Sequence, residues 1–535
     1  MIIRYFIRHY LSLFCIGFFV FCPAKSQTLS EDYKFITIDK NLKDFPDQYD
    51  VSSPLNAFVT FNYAKANGKN EDLPALSSIR IKDKVARSGN NFSKKDLDRY
   101  IKEVIIYKDS IAAVIPSYED SLLTCWYFYN ENRQWLNAGE SWGGRNLEDA
   151  HEVFFKHADT HLAYTRKIKM LDSVSIDTTA FINYLKMNGK QPIPFLIDAL
   201  KQYKLVIYGE QHFRKPSWDL MRQLIKIPEF HQVTGIVFLE LSIHAQNELD
   251  QFFNNKKKDP NLILNIFRKE ELTGWNDKGM YDFIMDLWNL NNTLPEEKKI
   301  KVVATDFPRP FYSSITTKEQ YDIFMRETLD RNECMANTVE RNIQLLHDQR
   351  SCLFIVGSGH AYKSSALHRA SYQKNGSSVA VLLSQTLCRE NIFSIFTHSP
   401  MISNNGYVYG KIRKGLYDYL FEKIGNNQIA FNLHNSPFGK ELFDASSEIC
   451  FDMKTGTFEE NYDGYIFLQP VNDEIKNTPL YELFTDEFVD EIKKRASIIG
   501  EEKSSFWDMD IKDLNRIQLL QNMKEEEGSK RWKNF

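Results

Sequence analysis

The alternation of apolar and polar positions changes rhythm along the 535-residue chain. After a polar lead-in, residues 52–67 carry apolar positions at helical spacing and begin at Ser53-Pro54, a capping hydroxyl followed by a first-turn proline. Residues 104–107, 111–115 and 122–129 are runs of β-branched, aliphatic and aromatic residues, and Asn130-Glu131-Asn132 turns into Gln134-Trp135-Leu136. Short runs between turn residues predict an antiparallel meander. From residue 193 onward, strand-like runs at 205–208, 235–239, 302–304, 353–356 and 378–383 alternate with helical patterns across 218–227, 245–253, 280–290 and 318–347. That alternation predicts an α/β fold, a mainly parallel sheet with flanking helices, preceded by a small α+β N-terminal domain. Residues 480–535 are charged and read as a solvated helix pair on the surface.

The N-terminus has a pattern of its own. Arg4 and Arg8 precede the apolar residues 11–22, and Pro23-Ala24-Lys25-Ser26-Gln27 follows, with small residues three before and one before a cut after Ser26. Twelve apolar residues make about 18 Å of helix, short of the ~30 Å hydrocarbon core, so the segment reads as a cleaved signal rather than a retained span. Phe21 stands where a lipobox needs a small residue before Cys22, which disfavours a lipid anchor. The expected organisation is a signal peptide at 1–26, an accessory domain at 27–155, a helical linker at 156–192, the main α/β domain at 193–475 and a helical tail at 476–535. The protein is then exported to the periplasm or the exterior, with no transmembrane span after cleavage.

Composition narrows the class of partner. The formal net charge is −4, and it is −7 without Arg4, Arg8 and Lys25, so a nucleic-acid backbone is repelled on average. A negative chain leaves small-molecule and peptide substrates open. Of seven cysteines, Cys125, Cys334, Cys352, Cys388 and Cys450 remain after cleavage, with no CxxC spacing and no CxxCH for covalent haem.

The chemistry sits in a near-repeat. Leu205-Val206-Ile207-Tyr208-Gly209-Glu210-Gln211-His212 and Leu353-Phe354-Ile355-Val356-Gly357-Ser358-Gly359-His360 each place four apolar residues before Gly-x-x-His. With 23 Gly and 12 His in the chain, composition predicts on the order of 0.02 such matches, and there are two. Each glycine is expected to let the chain turn off a parallel strand and deliver its histidine to the C-terminal edge, where open α/β sheets bind ligands. Two further strands run into acids, Phe238-Leu239-Glu240 and Val303-Ala304-Thr305-Asp306. If these strands are neighbours, Glu210, His212, Glu240, Asp306 and His360 share one pocket. Thr305-Asp306-Phe307-Pro308 is also a turn and cap sequence, and His244 fits the opening of a helix as well as the site. His157 and His161 have the helical spacing of metal ligands without a third ligand nearby, so they read as a polar helix face.

These residues resemble the superfamily of erythromycin esterases, ChaN and TIKI/TraB proteins, across residues 195–470. Gly209-Glu210-Gln211-His212 is similar to the ChaN form of the first motif, and Phe238-Leu239-Glu240 to the second-strand glutamate. The stretch from Trp275 to Asn292, followed by the strand ending in Asp306, resembles the esterase branch, as does the closing Tyr462-Asp463-Gly464-Tyr465-Ile466-Phe467-Leu468. Arg331-Asn332-Glu333-Cys334-Met335-Ala336 resembles the arginine-led helix before the second histidine motif, Gly357-Ser358-Gly359-His360. The motifs point to different branches, and the branch stays open. The helix and meander before them resemble the SnoaL-like α+β cone, here an accessory module without chemistry of its own.

The resemblance implies a hydrolase of an ester or peptide-like bond. His212 would be the general base, with Glu210 or Glu240 fixing its tautomer. His360 would protonate the leaving group or hold the oxyanion, and Arg331 would bind developing negative charge. An ordinary imidazole, with a pKa of about 6.5, is mostly neutral near pH 7 and suits the base. No Gly-x-Ser-x-Gly elbow is present within residues 193–475. Two alternatives are a Zn²⁺ or Mn²⁺ site on His212, His360 and Glu240, and a ChaN-like haem-binding protein without catalysis, with Tyr362 as an axial donor.

Overall fold

The computed structural model describes residues 32–41, 49–69, 71–78, 100–117, 123–158, 177–327, 330–346, 349–364, 377–402, 409–441, 443, 456–500 and 510–531. The proposed signal at 1–26, His161, Cys450 and part of the 156–192 linker lie outside these residues. The chain divides into two units, Met1–Asp159 and Thr160–Phe535.

In the first unit the meander forms as expected: β2 (Tyr100–Tyr107), β3 (Ile111–Ser117), β4 (Leu123–Glu131) and β5 (Gln134–Gly144) pair antiparallel in chain order. A strand precedes them that the polar lead-in concealed, β1 (Tyr33–Asn41), which pairs with β2. The helix Pro54–Ala66 is capped by the Ser53 hydroxyl, which accepts from the N–H of Asn56. It lays Phe58 and Phe61 against Trp126 and Phe128 on one sheet face. On segment 147–158, His157 stacks on Tyr127 and its Nε2 lies 2.9 Å from the Tyr129 hydroxyl, so this histidine is part of an aromatic packing layer.

The second unit is built on a seven-stranded sheet. Its strands are β6 (Leu205–Glu210), β7 (Thr234–Ser242), β8 (Lys301–Asp306), β9 (Ser351–Gly357), β10 (Ile392–Thr397), β13 (Ile429–Asn432) and β14 (Gly464–Phe467); the short β11 (Met401–Ile402) and β12 (Tyr409–Gly410) pair only with each other. The spatial order is β13-β14-β10-β6-β9-β7-β8, with every pairing parallel except the edge strand β13. Successive side chains alternate between two buried layers, as the strand period requires. Val206, Tyr208, Val237 and Leu239 face the layer containing Trp218 and Ile284. Leu205, Ile207, Ile236 and Phe238 face the layer containing Met335 and Val339. Glu210 therefore continues the first parity and Glu240 the second, so the two carboxylates rise on opposite faces of one sheet edge.

Two expectations are corrected. Residues 378–383 are not a strand. Ser378 caps the N–H of Val381 and opens the helix Val379–Thr386, because a short apolar run fits a buried helix as well as a strand. The strand actually beside β6 on that side is β10. The tail is not a solvated pair either: the helices Asp486–Ile499 and Arg516–Glu526 bury Phe488, Val489, Ile492, Leu519 and Met523 in the same layer as Trp218. Cys125, Cys334 and Cys352 are buried thiols, and Cys388 is an exposed one. Among the described residues no helix is long and apolar enough to cross a membrane.

Candidate functional site

The strands β6, β9, β7 and β8 are consecutive neighbours, so the residues that follow or end them meet at one C-terminal edge. His212 comes two residues after β6, and His360 closes the short 3₁₀ turn Ser358–His360 after β9. Neither glycine of the repeat adopts a positive φ; both are set by close approach. A Cβ on Gly209 would lie 2.9 Å from the Ile395 carbonyl oxygen, and one on Gly357 would lie 3.0 Å from Cε1 and Nε2 of His212. The repeat's second glycine therefore makes room for the first repeat's histidine.

Glu240 is the hub. Its Oε1 lies 3.7 Å from His212 Nε2, 3.6 Å from His360 Nε2 and 2.5 Å from Arg331 Nη2, while its Oε2 accepts from the Gly357 N–H at 2.7 Å. Burial alone would raise this carboxyl, but His212, Arg331 and His360 hold it well below its ordinary range, at about 2. Arg331 leads the helix Arg331–Gln344 and is shared with Asp306, Nε to Oδ1 at 2.7 Å and Nη2 to Oδ2 at 2.8 Å. Asp306 also receives Arg309 Nη2 at 2.9 Å, and Arg309 Nη1 reaches Glu271 at 2.9 Å. Asp306 thus joins the site through Arg331 besides serving its turn, where it accepts from the Phe307 N–H.

The two histidines occupy opposite electrostatic settings. His212, a third exposed, places Nδ1 2.6 Å from Glu210 Oε1 and makes a T-shaped contact with Trp275 at a ring distance of 5.1 Å. Partial burial works against its charge, but Glu240 and Glu210 outweigh it and raise the imidazole to about 9. Two flanking carboxylates thus favour the charged form of the ring over the neutral form expected of an ordinary imidazole near pH 7. His360 is buried, and burial together with Arg331 outweighs Glu240 and lowers it to about 4. Its Nδ1 lies 2.6 Å from Asn332 Oδ1, whose own amide nitrogen donates to the Ser377 carbonyl at 2.6 Å. A carbonyl can only accept, so Asn332 presents its oxygen to His360, Nδ1 carries the hydrogen, and Nε2 is left as a lone-pair acceptor facing the site.

Of the remaining candidates, His244 lies in the 3₁₀ turn Ile243–Ala245, directly before the helix Gln246–Asn254, with its ring against Tyr312. Tyr362 is 2% exposed and belongs to the hydrophobic layer of Met335 and Val339. The residues also do not fit a divalent ion. Glu240 Oε1, the oxygen that both Nε2 atoms face, already carries the Arg331 guanidinium, which repels a cation, and Oε2 is spent on a backbone N–H. Among the described residues no group of three or more His, Cys, Asp or Glu is arranged to hold a metal.

Asn332, Trp275 and Arg531 touch the site, and the residue pattern alone assigned none of them a role there. Asn332 had a signal, since it follows Asp330-Arg331 at a helix start. Arg531 had none, because its guanidinium comes from 319 positions away to bond the carbonyl of His212.

Fold and site together define an α/β protein with two histidines and buried carboxylates at the C-terminal edge of a mainly parallel sheet. No protein-family model matches this sequence, and no curated protein matches it. Similar solved structures include a Bacillus cereus protein, at 13% identity and TM-score 0.36 over 55% of this chain and 97% of that one. A mutant of the erythromycin esterase EreC in its open conformation is similar at 11% identity and TM-score 0.34, over 51% of this chain and 92% of its own. ChaN of Campylobacter jejuni, in a structure showing cofacial haem binding, is similar at 19% identity and TM-score 0.25, over 38% and 85%.

Proposed function

We propose that the chain is a hydrolase of an ester or peptide-like bond in which the histidine roles are the reverse of those the sequence resemblance implies. One observation carries this reading: the Nε2 atoms of His360 and His212 face the same carboxylate oxygen at 3.6 and 3.7 Å. His360 Nε2, an acceptor, removes a proton from water as the oxygen adds to the substrate carbonyl, and Glu240 stabilises the imidazolium that forms. His212 Nε2–H donates first to the developing oxyanion and then gives its proton to the leaving group. Arg331 holds Glu240 and Asp306 in place and offers its remaining edge to negative charge. After turnover His360 gives its proton to water and His212 takes one back from water, which restores both rings. The pattern of residues 1–26 supports export, with Gln27 as the first residue of the mature chain.

The test is a panel of esters and peptides offered to the purified protein. His360→Ala and His212→Ala are each expected to lower turnover by about 10²- to 10⁴-fold while the chain stays folded. Wild-type turnover in both variants would overturn the reading.

A further inference from the structure

Phe213, immediately after His212, has φ +60°, a left-handed conformation that a bulky residue rarely adopts. This turn sets the direction in which His212 leaves β6, so something must hold it. Three groups do. Trp275 packs on the Phe213 ring at 4.8 Å and meets the His212 ring in a T-shaped contact. Arg214, fully buried, pairs with the equally buried Glu474, Nε to Oε1 at 2.8 Å. Arg531 sends one guanidinium nitrogen to the Phe213 carbonyl and the other to the His212 carbonyl, the latter at 2.5 Å.

The same glutamate anchors both arginines. While its carboxylate holds Arg214, the Glu474 carbonyl accepts from the Arg531 N–H at 2.9 Å. Lys476 N–H donates to Ser529 at 2.9 Å, and Ile475 bridges Lys530 in an antiparallel pair. The tail is further tied by Tyr481 to Glu527 at 2.7 Å and by Lys476 to Glu526 at 2.7 Å. The C-terminal segment is thus fastened beside the site, and its guanidinium ends on the two carbonyls that flank the left-handed residue.

We propose that Arg531 is a positioning residue for the hydrolytic site: its fork on the His212 and Phe213 carbonyls fixes the turn that aims His212 Nε2 at the reacting atoms. A planar guanidinium suits this task because its two parallel N–H groups fix the relative orientation of two acceptors, whereas a lysine ammonium, a point charge, does not. Arg531 touches no reacting atom. The inference rests on the proposed acid role of His212, but its structural half can be read without turnover.

The experiment uses the full chain as wild type, Arg531→Ala and Arg531→Lys, each measured for kcat, KM and the downfield proton resonance of the His212 Nδ1–H donated to Glu210. Arg531→Ala is expected to lower kcat by about tenfold or more with KM nearly unchanged, to broaden or lose that resonance, and to recover both on adding methylguanidine. Arg531→Lys, which keeps the charge without the fork, is expected to lie between the two and is the variant read if Arg531→Ala does not fold. An unchanged resonance and kcat in the variant read, or a kcat loss that only follows the folded fraction and ignores methylguanidine, would overturn the proposal. If the wild type hydrolyses nothing on the panel, the hydrolase reading fails; the resonance still decides whether Arg531 positions His212.

Discussion

Asn332 determines which nitrogen of His360 is free. Its amide nitrogen donates to the Ser377 carbonyl and its oxygen takes the His360 Nδ1 hydrogen, both at 2.6 Å, so the lone pair of His360 sits on Nε2 and faces Glu240. Replacing Asn332 by Ala removes this orientation and leaves a buried Nδ1–H without its acceptor. The expected cost is about 1–3 kcal/mol of stability, with a fall in kcat larger than the loss of folded protein explains. Denaturant melts beside steady-state kinetics check this.

The pH dependence follows from the two rings. His360 must be neutral to act as base, so kcat/KM should fall as pH drops through about 4. His212 must be protonated to act as acid, so it should fall again as pH rises through about 9. A rate profile on any accepted substrate should be flat between these limbs. A single rise near pH 6.5 would instead indicate an ordinary histidine base.

Gly357 sets the space for the His212 ring. In Gly357→Ala the new methyl would stand 3.0 Å from Cε1 and Nε2, a contact tighter than such groups usually make. The ring must shift by a few tenths of an ångström, and turnover should fall by about 10²-fold or less, as misplacement of a reacting group does. Melting should change little, because His212 is a third exposed and can move. Kinetics and a thermal melt of this variant separate the two effects.

Glu240 couples the site to stability. A carboxyl held down to about 2 stabilises the fold above its unfolded pKa of about 4.3, and that stability is lost as pH falls through the folded value. Glu240→Gln removes the charge that Arg331, His212 and the Gly357 N–H share, leaving Arg331 to Asp306 and His212 to Glu210, so at neutral pH it should cost about 1–3 kcal/mol. The gap between variant and wild type should close as pH falls from about 4 toward 2. Denaturant midpoints measured across that range test the sign.

The parts of the site that the sequence made legible are those carried by local order. The Gly-x-x-His repeat, with strands ending in Glu240 and Asp306, located the edge, because a strand's end and the residue just after it are neighbours in sequence and in space. What escaped was set by contacts across the fold. The protonation of His212 depends on Glu210 and Glu240 together, and the glutamates come from strands separated by β9. The partner of Asn332 is a carbonyl 45 positions away, and the carbonyls that Arg531 holds lie more than 300 positions away. Val379–Thr386 and Ile392–Thr397 are both short apolar runs, and nothing in their local pattern tells the helix from the strand β10.

The central claim is that the two histidines hold opposite charge states at neutral pH, and a nitrogen-15 NMR titration of the histidine rings tests it most directly. The account predicts that His360 is neutral from about pH 5 upward with its hydrogen on Nδ1, while His212 stays an imidazolium with both nitrogens protonated until about pH 9. A neutral His212 at pH 7, or a His360 that is charged there or carries its hydrogen on Nε2, would contradict it.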